Sequence, residues 1–199
     1  YTYGYVENLP YEKMVNGKVA GIAGEYVDRV ARLSGITFKY KGYDTIQELK
    51  KAIDKGEVDL YFDYYNYNNE KYKSTLSTFI EKYVVLGKEN DNHIVTSFES
   101  MKADRIAMLG GDSLYNYFSN NARAKIKTYD NIDDLVKNSG SRLIVVDQEI
   151  YTYYQNNKFK NLKLLYTDTM LNDYKFMVKN NNEAFYDLFN YIINTNSYY

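Results

Sequence analysis

YDNIDDLVK (129–137) repeats the pattern of YDTIQELKK (43–51). Both run Tyr-Asp, a small polar residue, Ile, two polar residues, Leu. In the first copy, Thr45 followed by Glu48 fits a capping box: the hydroxyl accepts from one backbone N–H and the carboxylate returns to another. In the second, Asn131 and Asp134 keep that spacing with shorter side chains. Ile46, Leu49 and Ile53 form one apolar helical face, and Ile132 and Leu135 repeat it. Each copy precedes an apolar run ending at an aspartate, VDLYFD (58–63) and RLIVVD (142–147). Helix-cap chemistry by itself accounts for the short motif, but the flanking elements also match in order. Each half reads strand, helix, strand, motif helix, buried strand. This alternation predicts an α/β fold of two similar lobes, each a mostly parallel sheet flanked by helices.

Outward from the two copies, YTYGYV (1–6) reads as a strand and ENLPYEKMVNGKVAG (7–21) as a polar loop with turns at Pro10 and Asn16-Gly17. Val27, Val30, Ala31 and Leu33 recur at helical spacing, and Gly35 stops that helix. ITFKYKG (36–42) alternates as a strand, with Ile36, Phe38 and Tyr40 on one face. DYYNYNNEKYKS (63–74) reads as an aromatic loop, FIEKYVVLGKEN (79–90) as a strand running into a polar crossing, and IVTSF (94–98) as another strand. RIAMLGGDSLYNYFSNN (105–121) is a strand, a Gly-Gly turn and a helix capped by Asp112 or Ser113. LKLLYT and KFMVK read as two short strands before the amphipathic helix EAFYDLFNYIIN (183–194).

The 199 residues bury roughly 70% of their unfolded surface, enough to fold without staples. With no cysteine there is neither a disulfide nor a cysteine metal site. A net charge of -1 argues against nucleic acid as a partner. His93, the one histidine, sits in the polar stretch KENDNHIV and is expected to be a solvated loop residue, which leaves no Ser-His-Asp triad. No GxxxxGK or HExxH motif is present, and no carboxylate is singled out for acid–base work, so neither a catalytic residue, a cofactor nor a metal is expected. No apolar run reaches the ~20 residues of a membrane span, and no signal peptide is visible.

The ordered set of motifs resembles the family 3 extracellular solute-binding proteins. YGYVENLPYEKMVNGKVAGIAGEYVDRVARLSG resembles their opening strand, loop and helix, with Pro10-Tyr11, Gly17-Lys18 and Gly21-Ile22 in place. KKAIDKGEVDL resembles their Gly-x-Val-Asp strand entry, IAMLGGDSLYNYF the start of their second lobe, RLIVVDQEIYTYY its Asp-terminated strand, and YKFMVKNNNEAFYDLFNYII the return to the first lobe. The resemblance implies a type II periplasmic-binding-protein fold with a small ligand gripped between two lobes. Lobe 1 would be 1–86 plus 181–199, lobe 2 would be 91–176, and the hinge crossings would lie near 87–90 and 177–180. It further implies an extracytoplasmic domain, membrane-associated through a segment outside this stretch. Its partners would be a small polar solute and either an ABC permease or membrane-anchored signalling domains of the same protein. The alternatives are a ligand-free sensor or structural module that contacts another protein, and an enzyme built on the same fold.

Ligands of open parallel sheets collect at strand carboxyl ends and helix N-termini. That picks Tyr5, then Asp63, Tyr64 and Tyr65, then Gly111, Asp112 and Ser113, and finally Asp147. In amino-acid-binding relatives an Arg clamps the ligand carboxylate, a Gly-Thr helix start assists, and an Asp in the position of Asp147 holds the ammonium. Here the corresponding stretch YYNYNNEKYKSTLSTF has no Arg, and Lys71 is the nearest cation. Lysine lacks the planar bidentate fork. Three aspartates among tyrosines suit a cationic or aromatic-stacking ligand. Each aspartate has a plainer reading as a helix cap or turn.

Overall fold

The computed structural model describes residues 1–101, 104–121 and 125–195. Its strands are β1 (Thr2–Val6), β2 (Lys13–Val15), β3 (Lys18–Ala20), β4 (Lys39–Tyr43), β5 (Leu60–Asp63), β6 (Tyr72–Lys88), β7 (Arg105–Leu109), β8 (Lys125–Tyr129), β9 (Leu143–Asp147) and β10 (Leu162–Lys179). The helices are α1 (Ile22–Ser34), α2 (Ile46–Asp54), α3 (Ser113–Asn121), α4 (Ile132–Asn138), α5 (Gln148–Tyr154) and α6 (Glu183–Thr195). The chain forms two compact units, Tyr1–Phe79 with Asp173–Tyr199, and Ile80–Asn172. Both divisions fall inside the long strands β6 and β10, upstream of the 87–90 and 177–180 crossings that the resemblance implies.

In the first unit β1 lies between β4 and β5, parallel to both, and β10 returns antiparallel beside β5. Helix α1 packs on α6. It buries Ala23, Gly24, Val27 and Val30. Leu33, expected on that face, is 68% exposed in the last turn. No side chain caps α1. Its first N–H groups are taken instead by main-chain carbonyls, Ile22 N–H by Pro10 and Ala23 N–H by Tyr11, each at 3.1 Å. Gly21 permits this at φ 97°, because a Cβ there would stand 2.5 Å from the Tyr11 carbonyl oxygen.

In the second unit β7 is parallel to β8 and β9, while β6 runs antiparallel to β9. Its core gathers Tyr83, Val85, Met101, Ile106, Met108, Leu114, Phe118, Leu143 and Val145.

The two motif helices form as expected. Thr45 Oγ1 accepts from Glu48 N at 3.2 Å, and Asn131 Oδ1 from Asp134 N at 2.8 Å. The Glu48 carboxylate reaches back to Asp44 N at 3.1 Å. The shorter Asp134 instead meets the Asn131 side-chain amide at 3.0 Å.

Three expectations are corrected. IVTSF (94–98) is not a strand. Ile94 is 79% exposed while Val95 is buried, and Ser97 and Ser100 bond each other's backbone to start the 3-10 turn Glu99–Met101. LKLLYT and KFMVK belong to the single strand β10, which runs through the polar residues between them without a turn. The loop 7–21 holds the hairpin β2–β3, whose turn uses Asn16 at φ 51° and Gly17 at φ 80°. Asn-Gly is the pair that tolerates two successive positive φ angles.

Candidate functional site

At the carboxyl edge of the first unit's sheet, Asp63 ends β5 and Tyr5 stands near the end of β1. Asp63 is 3% exposed. Its Oδ1 accepts from Tyr67 N at 2.9 Å, while its buried Oδ2 accepts no hydrogen bond among the described residues. Lys175 lies opposite it in the β5–β10 register. Burial raises the Asp63 carboxyl to about 6, and the amide of Tyr67, the Lys175 charge and the amides of Tyr65 and Asn66 only partly counter that. A buried carboxylate with one oxygen unbonded is costly to keep and is the kind of group that sites maintain for a partner.

The neighbouring rings are packed rather than open. Tyr64 and Tyr65 are each 3% exposed. Tyr64 sits 4.8 Å from Tyr11, 5.5 Å from Tyr65 and 5.4 Å from Tyr174, centroid to centroid. They wall the Asp63 end of β5. Tyr5 packs over Gly42 of β4, where a Cβ would stand 3.0 Å from its hydroxyl. Lys71 is not brought to Asp63. Its ammonium donates to the Asp54 carbonyl at the C-terminal end of α2. The loop before it is tied to the same helix end through Tyr67 and Asn69, which bond Asp54 Oδ1 at 2.6 and 2.9 Å. A cation there complements the helix C-terminus.

The same unit holds a carboxyl that the sequence reading missed. Glu12 is 1% exposed and accepts from the Tyr3 hydroxyl. Asn8 closes the loop around it: Tyr11 N and Glu12 N both donate to the Asn8 carbonyl at 2.8 Å. Burial lifts Glu12 to about 8, with the Tyr3 bond opposing. Nothing local marked it, since ENLPYEK reads as a solvated loop.

In the second unit Gly111, Asp112 and Ser113 follow β7, and Asp147 ends β9. The parallel register of β7 and β9 places these residues at one sheet edge. Gly111 turns the chain at φ 87°. Asp112 caps α3, accepting from Tyr115 N at 2.7 Å. Asp147 caps α5, accepting from Glu149 N at 2.8 Å and Ile150 N at 3.3 Å. The cap readings of both aspartates therefore describe what their Oδ1 atoms do. Ser113 is not a cap; its hydroxyl donates to both oxygens of Glu81, at 2.9 and 3.0 Å. Glu81, also absent from the sequence-derived set, is 1% exposed. Tyr83 pairs with Asp147 in antiparallel register, so Glu81 lies beyond the carboxyl end of β9. His93 is in a loop as expected, with Nε2 3.1 Å from Asp104 Oδ2.

The fold is the two-lobed α/β fold of the type II periplasmic-binding proteins. No protein-family model matches the sequence, and no curated protein does. Among solved structures, the substrate-binding protein of an amino acid ABC transporter matches with a TM-score of 0.71 at 20% identity, over 97% of this chain and 91% of that one. The GluR0 ligand-binding core from Nostoc punctiforme, in complex with L-glutamate, matches at 0.75 and 16%, over 98% and 91%. A double mutant of the VFT2 domain of Bordetella pertussis BvgS matches at 0.74 and 15%, over 98% and 87%.

Proposed function

We propose that this chain is an extracytoplasmic solute-binding domain that closes its two units on a small polar ligand, amino-acid-like or amine-like, rather than an enzyme. It would deliver that ligand to an ABC permease or report it to membrane-anchored signalling domains. Among the described residues no helix is long and apolar enough to cross a membrane. The observation that carries the reading is Asp63, a buried carboxylate at the carboxyl end of a strand with one oxygen that no described residue bonds. That is where open α/β sheets take ligands. An ammonium placed there would supply the missing donor. The fold shared with the substrate-binding protein of an amino acid ABC transporter and with the BvgS VFT2 domain supports the same class. Closure follows if the ligand contacts both units only in the closed state, because a ligand shifts an equilibrium by its differential affinity.

The test is a thermal-shift series with diamines, agmatine and amino acids, paired with solution scattering. At least one amine is expected to raise the melting temperature and reduce the radius of gyration. Asp63→Asn is expected to weaken that amine about tenfold to a hundredfold, the value of a hydrogen bond to a charged group. The ligand-free protein should move the other way. Its Asp63 is raised from 3.8 to about 6, so stability is lost as pH climbs between those values. The Asn variant should therefore be about 1–3 kcal/mol more stable than wild type at pH 7 by urea denaturation. A flat melting temperature across the whole panel, with unchanged scattering, sinks the reading in favour of a ligand-free module.

A further inference from the structure

The second unit holds a group of polar atoms that the Asp63 site does not use. Tyr83 of β6 is 1% exposed, yet its hydroxyl has no hydrogen-bond partner among the described residues. A buried hydroxyl in that state carries the full cost of its lost hydration. Its ring meets Phe118 edge-on at 5.2 Å and Tyr166 at 6.3 Å, centroid to centroid. Phe118 in turn stands 5.0 Å from Phe98 and 5.8 Å from Tyr117. Asp168 of β10 joins these rings. Its carboxylate accepts from the Tyr166 hydroxyl at 2.6 Å and from Thr169 N at 2.8 Å, and no lysine or arginine pairs with it among the described residues. Its charge reaches the other phenols: burial first, and then Asp168, raises Tyr83 and Tyr117, while the bond to Asp168 lifts Tyr166 to about 12. Phe98, Tyr117, Tyr166 and Asp168 are half-buried, so the group reaches solvent.

We infer that Asp168 and the Tyr83 hydroxyl form a second binding site, for a primary organic ammonium ion, walled by the rings of Tyr117 and Tyr166. The chemistry selects the class. A carboxylate without a cation partner attracts positive charge, and aromatic faces beside it add to that attraction. A phenol oxygen accepts a hydrogen bond, so an ammonium N–H gives Tyr83 the partner it lacks. An anion would be repelled by Asp168. A quaternary ammonium has no N–H for Tyr83. All of these residues fall within Ile80–Asn172, whereas Asp63 belongs to the other unit. The site therefore needs no closure of the two units and does not rest on the solute-binding reading above.

The experiment titrates n-butylammonium chloride into protein labelled with 13C on the methionine methyls, at constant ionic strength. Met101 and Met170 lie in the same core as Tyr83 and report on this site by NMR. At least one of their two signals is expected to shift saturably. Tetramethylammonium and 1-butanol, which lack the N–H or the charge, should act at least about tenfold more weakly. Asp168→Asn should weaken n-butylammonium by about tenfold or more, and Tyr83→Phe by about fivefold to tenfold. Both variants are mild: the Asn amide oxygen still accepts from Tyr166, and Phe keeps the buried ring. Asp63→Asn should leave the Met101 and Met170 response unchanged, which separates this site from an amine held in the first unit. Silent Met101 and Met170 signals would mean that water alone serves Tyr83, and would overturn the site. So would an affinity that either Asp168→Asn or Tyr83→Phe leaves unchanged, equal affinity for tetramethylammonium, or loss of the response in Asp63→Asn. A retained response here, with no closure in solution scattering, would uphold this site and sink the solute-binding reading alone.

Discussion

Between pH 4.5 and about 8 the wild-type protein is expected to lose about 3–5 kcal/mol of stability that Glu12→Gln retains. Glu12 is fully internal, and its carboxyl is raised from 4.5 to about 8 because burial disfavours the charged form. The Tyr3 hydroxyl bond favours the carboxylate but does not outweigh burial. The sign follows from proton counting. Above 4.5 the unfolded chain releases this proton, while the folded chain holds it until about 8. The folded state then binds more protons, and stability falls as pH rises through that window. Glutamine is neutral and isosteric, and its amide oxygen still accepts from Tyr3, so the variant should be nearly flat there. Urea denaturation at pH 4.5, 6, 7 and 8 reads the difference; parallel curves for the two proteins would show that Glu12 ionises freely. Asp63 titrates over the lower part of the same window in both proteins and cancels in the comparison.

Phe176→Ala is expected to cost about 3–5 kcal/mol, the usual loss for a buried phenylalanine. Phe176 is fully buried, with ring centroids 5.8 Å from Tyr26, 5.2 Å from Phe62 and 5.1 Å from Phe189. It therefore joins α1, β5 and α6 through one side chain. Its strand is the segment that returns to the first unit after the second is complete. Removing the ring leaves a cavity walled by rigid rings that cannot collapse into it. At about 2–4 °C per kcal/mol for a chain of this size, the melting temperature should drop by about 6–20 °C. Phe176→Leu should recover more than half of that loss. A loss below about 1 kcal/mol for the alanine variant would mean that the aromatic cluster repacks.

Much of the fold was legible because its signals are local. An N-cap needs a side chain and an amide three residues on, which is why Thr45 and Asn131 could be read directly; Gly35 ends α1 because glycine readily takes the left-handed conformation found there. The aspartates at the ends of β5 and β9 were legible for the same reason: an apolar run stopping at a carboxylate is visible in six letters. Errors came where local signals were silent. IVTSF alternates like a strand, but strand formation needs a partner edge, and none is printed in the segment itself. LKLLYT and KFMVK read as two strands, yet β10 is continuous, because pairing on a sheet tolerates polar residues such as those of TDTMLND.

By itself the sequence determined that this protein has two similar α/β halves, with capped helices and acidic strand ends, because hydrophobic period and capping act over a few residues. Only the tertiary structure decided what each carboxyl meets. It buried Glu12 on Tyr3, turned Lys71 onto the end of α2, left Asp63 Oδ2 without a donor among the described residues, and brought Glu81 to Ser113. Burial and partner choice depend on segments far apart in the chain. They set charge cost and proton affinity, and no short stretch of sequence carries them.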